Sequence, residues 1–167
     1  MSLHYTTFGK ETVDRTRLGL YFAEEKPKFQ YSTYSLSHGG RNIVIPPGEK
    51  EHKMSASHVF EDEIMLHGLR PHMHYRGKHM RMSVVYPDGS KDDIINVPDY
   101  NFAWQPTYRL SEPMLLPAGS RVMVEGAFDN SHYNLGNPDP DAEVRGGAQS
   151  WDEMFIGYFS YHKTEVN

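Results

Sequence analysis

The sequence predicts an all-β fold, a single antiparallel β-sandwich or jelly roll. Three observations carry that expectation. Short β-branched and aromatic runs alternate with polar positions, Pro, Gly, Asn and Asp separate them at close intervals, and no stretch makes a convincing helix. In order, strands are expected at residues 3–6, 17–22, 31–36, 42–45, 53–60, 63–75, 78–86, 91–97, 109–115, 121–128 and 154–162. Turn chemistry punctuates them at Pro46-Pro47-Gly48, Pro87-Asp88-Gly89 and Pro117-Ala118-Gly119. Of these, Pro87-Asp88-Gly89 between two strand-like runs is the clearest hairpin. Residues 130–150 hold Asn137-Pro138-Asp139-Pro140 and Gly146-Gly147 and read as a long polar loop tied to a functional site. About ten short strands in sequence imply two packed sheets.

Composition narrows the function classes. A chain of 167 residues, 38% hydrophobic and 13% aromatic, can bury one core. No run reaches the roughly 20 continuous apolar residues of a membrane helix, so no membrane is expected. A formal charge of -5 without a basic stripe argues against nucleic acid. Cysteine is absent, which removes disulfides, thiolate metal sites and cysteine nucleophiles together. Any metal would fall to His, Met or carboxylate, and ten His and nine Met are a rich supply. The opening has no basic and apolar leader and enters a strand-like pattern at once. That abrupt start is expected of a domain, residues 1–167, excised from a longer protein.

The segment Leu69-Arg70-Pro71-His72-Met73-His74-Tyr75-Arg76-Gly77-Lys78 is the central feature. Strand side chains alternate faces, so Arg70, His72 and His74 project together while Met73 points away. Two imidazoles at i and i+2 can share one ion. The same spacing also describes two ordinary strand histidines, one solvated and one hydrogen-bonded, and a chain this rich in His yields such a pair by chance. A third donor has to come from elsewhere. Met154, in Trp151-Asp152-Glu153-Met154-Phe155-Ile156-Gly157-Tyr158-Phe159, is the best candidate. Met154, Ile156 and Tyr158 share one face of that final strand. A thioether is a soft ligand that favours copper, above all cuprous copper. Met154 is equally read as core filler at the start of a buried strand.

Together these segments resemble the second catalytic domain of the copper type II, ascorbate-dependent monooxygenases, the family of the peptidylglycine α-hydroxylating and dopamine β-monooxygenases, and more closely its bacterial relatives in multidomain proteins. His72-Met73-His74 and Asp152-Glu153-Met154 stand in the family's order and at similar separation, with Leu3-His4-Tyr5 and Ile45-Pro46-Pro47-Gly48 as further likenesses. The resemblance implies that His72, His74 and Met154 hold the oxygen-activating copper. It implies that Arg70 and Tyr158 grip a substrate carboxylate, and that His4 is one of three His ligands of a second, electron-transferring copper. The partners of His4 would be adjacent histidines of a missing N-terminal domain, and this sequence has no His-His pair. Ile156 stands where the peptide enzymes carry an Asn beside the substrate, which tells against peptide substrates.

The expected function is therefore a copper-binding domain, the oxygen-activating half of a copper-dependent monooxygenase that hydroxylates a C–H bond. Its implied cofactors are one copper in this chain and ascorbate or another reductant in the full enzyme. Its implied partner is a small-molecule or carboxylate-bearing substrate, and its implied place is the periplasm or outside the cell. The isolated chain is expected to bind copper yet turn over poorly. A non-catalytic binding or structural module of a larger exported protein is the alternative. A cupin-like site is a third reading, but Tyr75-Arg76-Gly77-Lys78-His79 lacks the glutamate it would want. His79 is weighed as a further approach to the metal, and His58 and His67 read as strand positions.

Overall fold

The computed structural model describes Leu3, Tyr5 and residues 8–165. Ten strands carry it: β1 Ser32–Ser37, β2 Val44–Ile45, β3 His52–Val59, β4 Ile64–His72, β5 Gly77–Val85, β6 Lys91–Val97, β7 Tyr108–Leu116, β8 Arg121–Phe128, β9 Val144–Arg145 and β10 Ile156–Lys163. A single 3-10 turn, Gly40–Asn42, joins β1 to β2, and the described residues contain no α-helix. Two four-stranded sheets form, in the orders β1-β10-β4-β7 and β3-β8-β5-β6, with β2 and β9 as a small separate pair. Every ladder is antiparallel. The result is the β-sandwich that the alternation predicts.

The two sheets meet through alternate side chains. Leu36, Ile64, Leu66, Leu69 and Phe159 from one sheet pack with Met80, Met82, Val84, Val122, Val124 and Phe128 from the other. Each full burial of such a side chain contributes about 1.5–3 kcal/mol. On β10 the alternation is plain: Gly157 and Phe159 face inward, while Ile156 and Tyr158 stay half-exposed on the outer face. The expected hairpin at Pro87-Asp88-Gly89 joins β5 to β6, with Gly89 at φ 87 supplying the left-handed residue.

Four sequence expectations are corrected. Residues 17–22 form no strand; Leu18, Leu20 and Phe22 are 67%, 67% and 87% exposed. Their alternation is real, but a strand persists only where a neighbour pairs its N–H and C=O groups, and among the described residues this segment has no ladder partner. Leu3 and Tyr5 are likewise not in a strand, and His4 and Thr6 lie outside the described residues. The expected strand 63–75 stops at His72, because the chain there leaves one sheet for the other. The loop 130–150 carries the short β9, which its polar composition hid.

Candidate metal centre

The site grows from the pairing of β4 with β10, the two central strands of their sheet. Their register sets Tyr158 opposite Arg70 and Ile156 opposite His72. Directly opposed residues of an antiparallel pair point to the same side. Arg70, His72, Ile156 and Tyr158 thus share the outer face, each half-buried, while Leu69, Pro71, Gly157 and Phe159 are buried on the inner one. The structure brings the expected Arg70 and Tyr158 together: the guanidinium carbon stands 4.3 Å over the Tyr158 ring. The His72 ring lies 6.2 Å from the same phenol.

Beyond His72 the chain turns through residues 73–76 into β5, and the backbone there is served by side chains. Tyr100 donates its hydroxyl to the Met73 carbonyl at 2.8 Å and accepts from the Met73 N–H at 2.9 Å. The buried Glu153 carboxylate accepts the N–H of His74 at 2.8 Å and of Arg76 at 2.7 Å. Gly77 closes the turn by donating to the His74 carbonyl at 3.1 Å. A Cβ on Gly77 would stand 2.5 Å from the Tyr100 ring, so glycine alone fits this corner.

The corner brings His72 and His74 side by side, ring centroids 5.2 Å apart and nearly perpendicular at 84°. Each Nδ1 is committed. His72 Nδ1 lies 2.6 Å from Gln105 Oε1, and the Gln105 amide nitrogen donates to the Phe102 carbonyl at 2.7 Å. That second bond fixes which end of the amide faces His72, so His72 Nδ1 must carry the hydrogen. His74 Nδ1 lies 3.0 Å from the Asp152 carbonyl, a pure acceptor, which fixes the same tautomer. Both rings therefore carry their lone pair on Nε2, the arrangement in which a hydrogen-bonded histidine ligates a metal. Burial holds His72 below the ordinary imidazole range, opposed by the Gln105 bond and aided by the charge of Arg70 and by the repulsion that two protonated rings would feel. A neutral ring is the one that can ligate.

Met154 follows Glu153, and its side chain is half-buried, outside the apolar core. It lines a cavity of about 270 Å³ with Ser37, His38, Ile43 and Ile156. The β4–β10 pairing ends at His72 and Ile156, two residues short of Met154, and the cavity Met154 lines includes neither His72 nor His74. Met154 adjoins Glu153, whose carboxylate holds the His74 backbone. Burial pushes that carboxyl up to about 7, against the pull of the N–H donors and of Arg76. The buried Arg76 in turn donates Nε to Asn130 at 2.8 Å and Nη1 to the Trp151 carbonyl at 2.8 Å, pinning both ends of the long loop to the corner.

The remaining histidines go elsewhere. His79 pairs with Glu51 at 2.9 Å on the second sheet, so it does not join the site. His58 stacks on Tyr34 and His132 pairs with Asp141. His4 lies outside the described residues. Among the described residues no three His, Asp or Glu side chains gather as a metal site. A metal at His72 and His74 would need a further donor, and a thioether there would suit copper rather than magnesium or calcium. Sequence reasoning missed Gln105, Tyr100, Arg76, Asn130 and the role of Glu153. Glu153 was in view inside Asp152-Glu153-Met154; Gln105, in an irregular loop before Pro106, gave no signal.

Comparison with known proteins identifies the family. Residues 32–167 match the model of the family described as copper type II ascorbate-dependent monooxygenase, C-terminal domain. The match begins at the first residue of β1, so the likeness around residues 3–5 lies outside it. No match was found among curated proteins. Among solved structures, the infectious bursal disease virus VP2 subviral particle matches at 9% identity with a TM-score of 0.35, covering 80% of this chain and 33% of that one. The chain thus spans about a third of that protein's length, and so distant a likeness carries no argument.

Proposed function

Because this chain belongs to the copper type II ascorbate-dependent monooxygenase family, as its C-terminal domain, we propose that His72, His74 and Met154 hold one copper ion and that the domain is the oxygen-activating half of an enzyme hydroxylating a C–H bond. The observation that carries the reading is the matched tautomer of the two rings. Gln105 and the Asp152 carbonyl each take an Nδ1 hydrogen, leaving two Nε2 lone pairs on adjacent, nearly perpendicular imidazoles. A copper ion bound there would supply one-electron chemistry toward dioxygen.

The chain's own residues do the rest. Gln105 and Glu153 orient the donors, and Phe102, edge-on to His74 at 5.7 Å, shields that ring from water. Arg70, lying over Tyr158, has no carboxylate partner among the described residues, and it faces the same side as His72. It is the group to bind a carboxylate-bearing substrate, with the Tyr158 hydroxyl as a further donor. Such a clamp would hold one substrate carbon close to the metal, where orientation lowers the barrier. Ile156, opposite His72, adds an apolar side chain beside it. Ascorbate or a like reductant, and a preceding domain with a second copper, complete the enzyme in this proposal, which places the full protein in the periplasm or outside the cell.

The experiment is a copper(I) titration of the metal-free chain against a competing chelator. Saturation at one equivalent is expected, with Met154→Ala weakening copper(I) more than copper(II). Equal loss for both oxidation states would remove the sulfur from the ligand set.

A further inference from the structure

The face that carries the copper candidates holds a second histidine cluster, further along the same two strands. His67 lies on β4 where the register skips a residue against both neighbours, between Leu66 and Gly68. Such a bulge re-aims its side chain. Against β10 the bulge belongs to β4 alone: consecutive β10 residues Ser160 and Tyr161 pair with Gly68 and Leu66, so β10 keeps its alternation, with Tyr161 packed toward the core and His162 buried on the outer side. His67 Nε2 lies 2.7 Å from His162 Nδ1. Two aromatic rings from the chain leading into β1 cover the pair. Phe29 stacks on His162 at 4.2 Å and 26°, and Tyr31 leans on His67 at 4.7 Å and on His162 at 5.5 Å.

We propose that His67 and His162, capped by Phe29 and Tyr31, form a proton-operated latch that holds residues 28–31 on the sheet and lets them go in acid. With both rings neutral, one N–H donates to the other's lone pair. With one ring protonated the bond persists and strengthens as a charge-assisted contact. The second proton leaves two N–H groups facing each other across a hydrogen-bond distance, with no acceptor between them. Separation of the rings is then the only relief, and it undoes the surface on which Phe29 and Tyr31 rest.

Burial and the charge of the first protonated ring disfavour the doubly protonated pair. Lys28 sits 5.0 Å over Phe29, and Lys28, Lys163 and Glu165 line the shallow pocket beside the pair. Across the bulge β7 sets Arg109 opposite Gly68, and the covering segment brings the phenol of Tyr31. Burial, and then the charge of His162, hold His67 below the ordinary imidazole range, so opening belongs to mildly acidic conditions. A metal in place of the proton would need further ligands or water, and the aromatic cap leaves His162 only 8% exposed.

The test is limited proteolysis after Lys28 in the metal-free, chelator-treated chain from pH 7.5 to 4.5, with the protease rate calibrated at each pH on an unstructured peptide. Protection is expected to fall about tenfold or more, with a midpoint below about 6.5. His162→Phe, which keeps a stacking ring but cannot titrate, should hold the segment protected at pH 4.5. His67→Gln should flatten the dependence in the same way, so either variant suffices should the other fail to fold. Protection that ignores pH, or a fall that persists in both variants, overturns the proposal. Protection that rises on adding zinc or copper through these two residues overturns it in favour of a metal site.

Discussion

Gln105 shows how much of the candidate metal centre would depend on a residue outside the proposed ligand set. Its amide is held by the Phe102 carbonyl on one side and presents an acceptor to His72 on the other. Replacing it with Leu leaves the His72 tautomer and ring angle unset, and the loss of such an outer partner lowers metal affinity about 10- to 100-fold. Copper(I) competition on Gln105→Leu measures this, and Gln105→Glu should retain binding because it keeps the acceptor. Glu153 has the opposite balance, with a larger role in folding. Its carboxylate serves the backbone of His74 and Arg76 and offsets the buried Arg76 charge. Glu153→Ala strands those groups and should cost about 3–5 kcal/mol, read by urea unfolding. A loss under about 1 kcal/mol would show that water replaces the carboxylate freely.

At the scale of elements, β10 does two jobs with alternate residues. Its outer positions build the candidate site, and its inner ones set how closely the sheets approach. A Cβ on Gly157 would collide with Val124 and stand 2.9 Å from the end of Met82. Gly157→Ala should therefore overpack the interior, lower stability by about 1–3 kcal/mol, and weaken copper binding through displaced strand residues. Thermal unfolding and copper titration on one sample separate the two effects. The strands themselves were legible because period-two alternation survives in β3, β5, β8 and β10. Residues 17–22 carry the same alternation without a partner, and local pattern cannot tell a paired strand from an unpaired one. The end of β4 was misplaced for a related reason: His74 keeps strand-like sequence, yet its N–H goes to a side chain 79 residues away.

For the whole molecule, the sandwich explains why the site sits where it does. His72 and His74 lie where the chain crosses between the sheets, and the loop before β10 folds back on that corner. The family's motif order made the ligand candidates and the Arg70–Tyr158 pair readable. Their supporting shell was not, because Gln105, Tyr100 and Asn130 acquire meaning only from partners distant in sequence. Acid behaviour is also a property of the assembled fold. Lys78 and then His79 hold the Glu51 carboxyl down to about 2, linking β3 to β5. A depressed carboxyl contributes stability that is complete above its unfolded value near 4.5 and is lost as pH falls toward about 2. Glu51→Gln should lower stability by a constant amount above about pH 5 and flatten the profile below it, a modest effect because the cluster is solvent-screened.

X-ray absorption on the copper(I)-loaded chain addresses the ligand set most directly. Two imidazole shells and one sulfur at about 2.3 Å are expected, the sulfur vanishing in Met154→Ala while both imidazoles remain. A spectrum of nitrogen and oxygen alone in the unsubstituted protein would contradict the account.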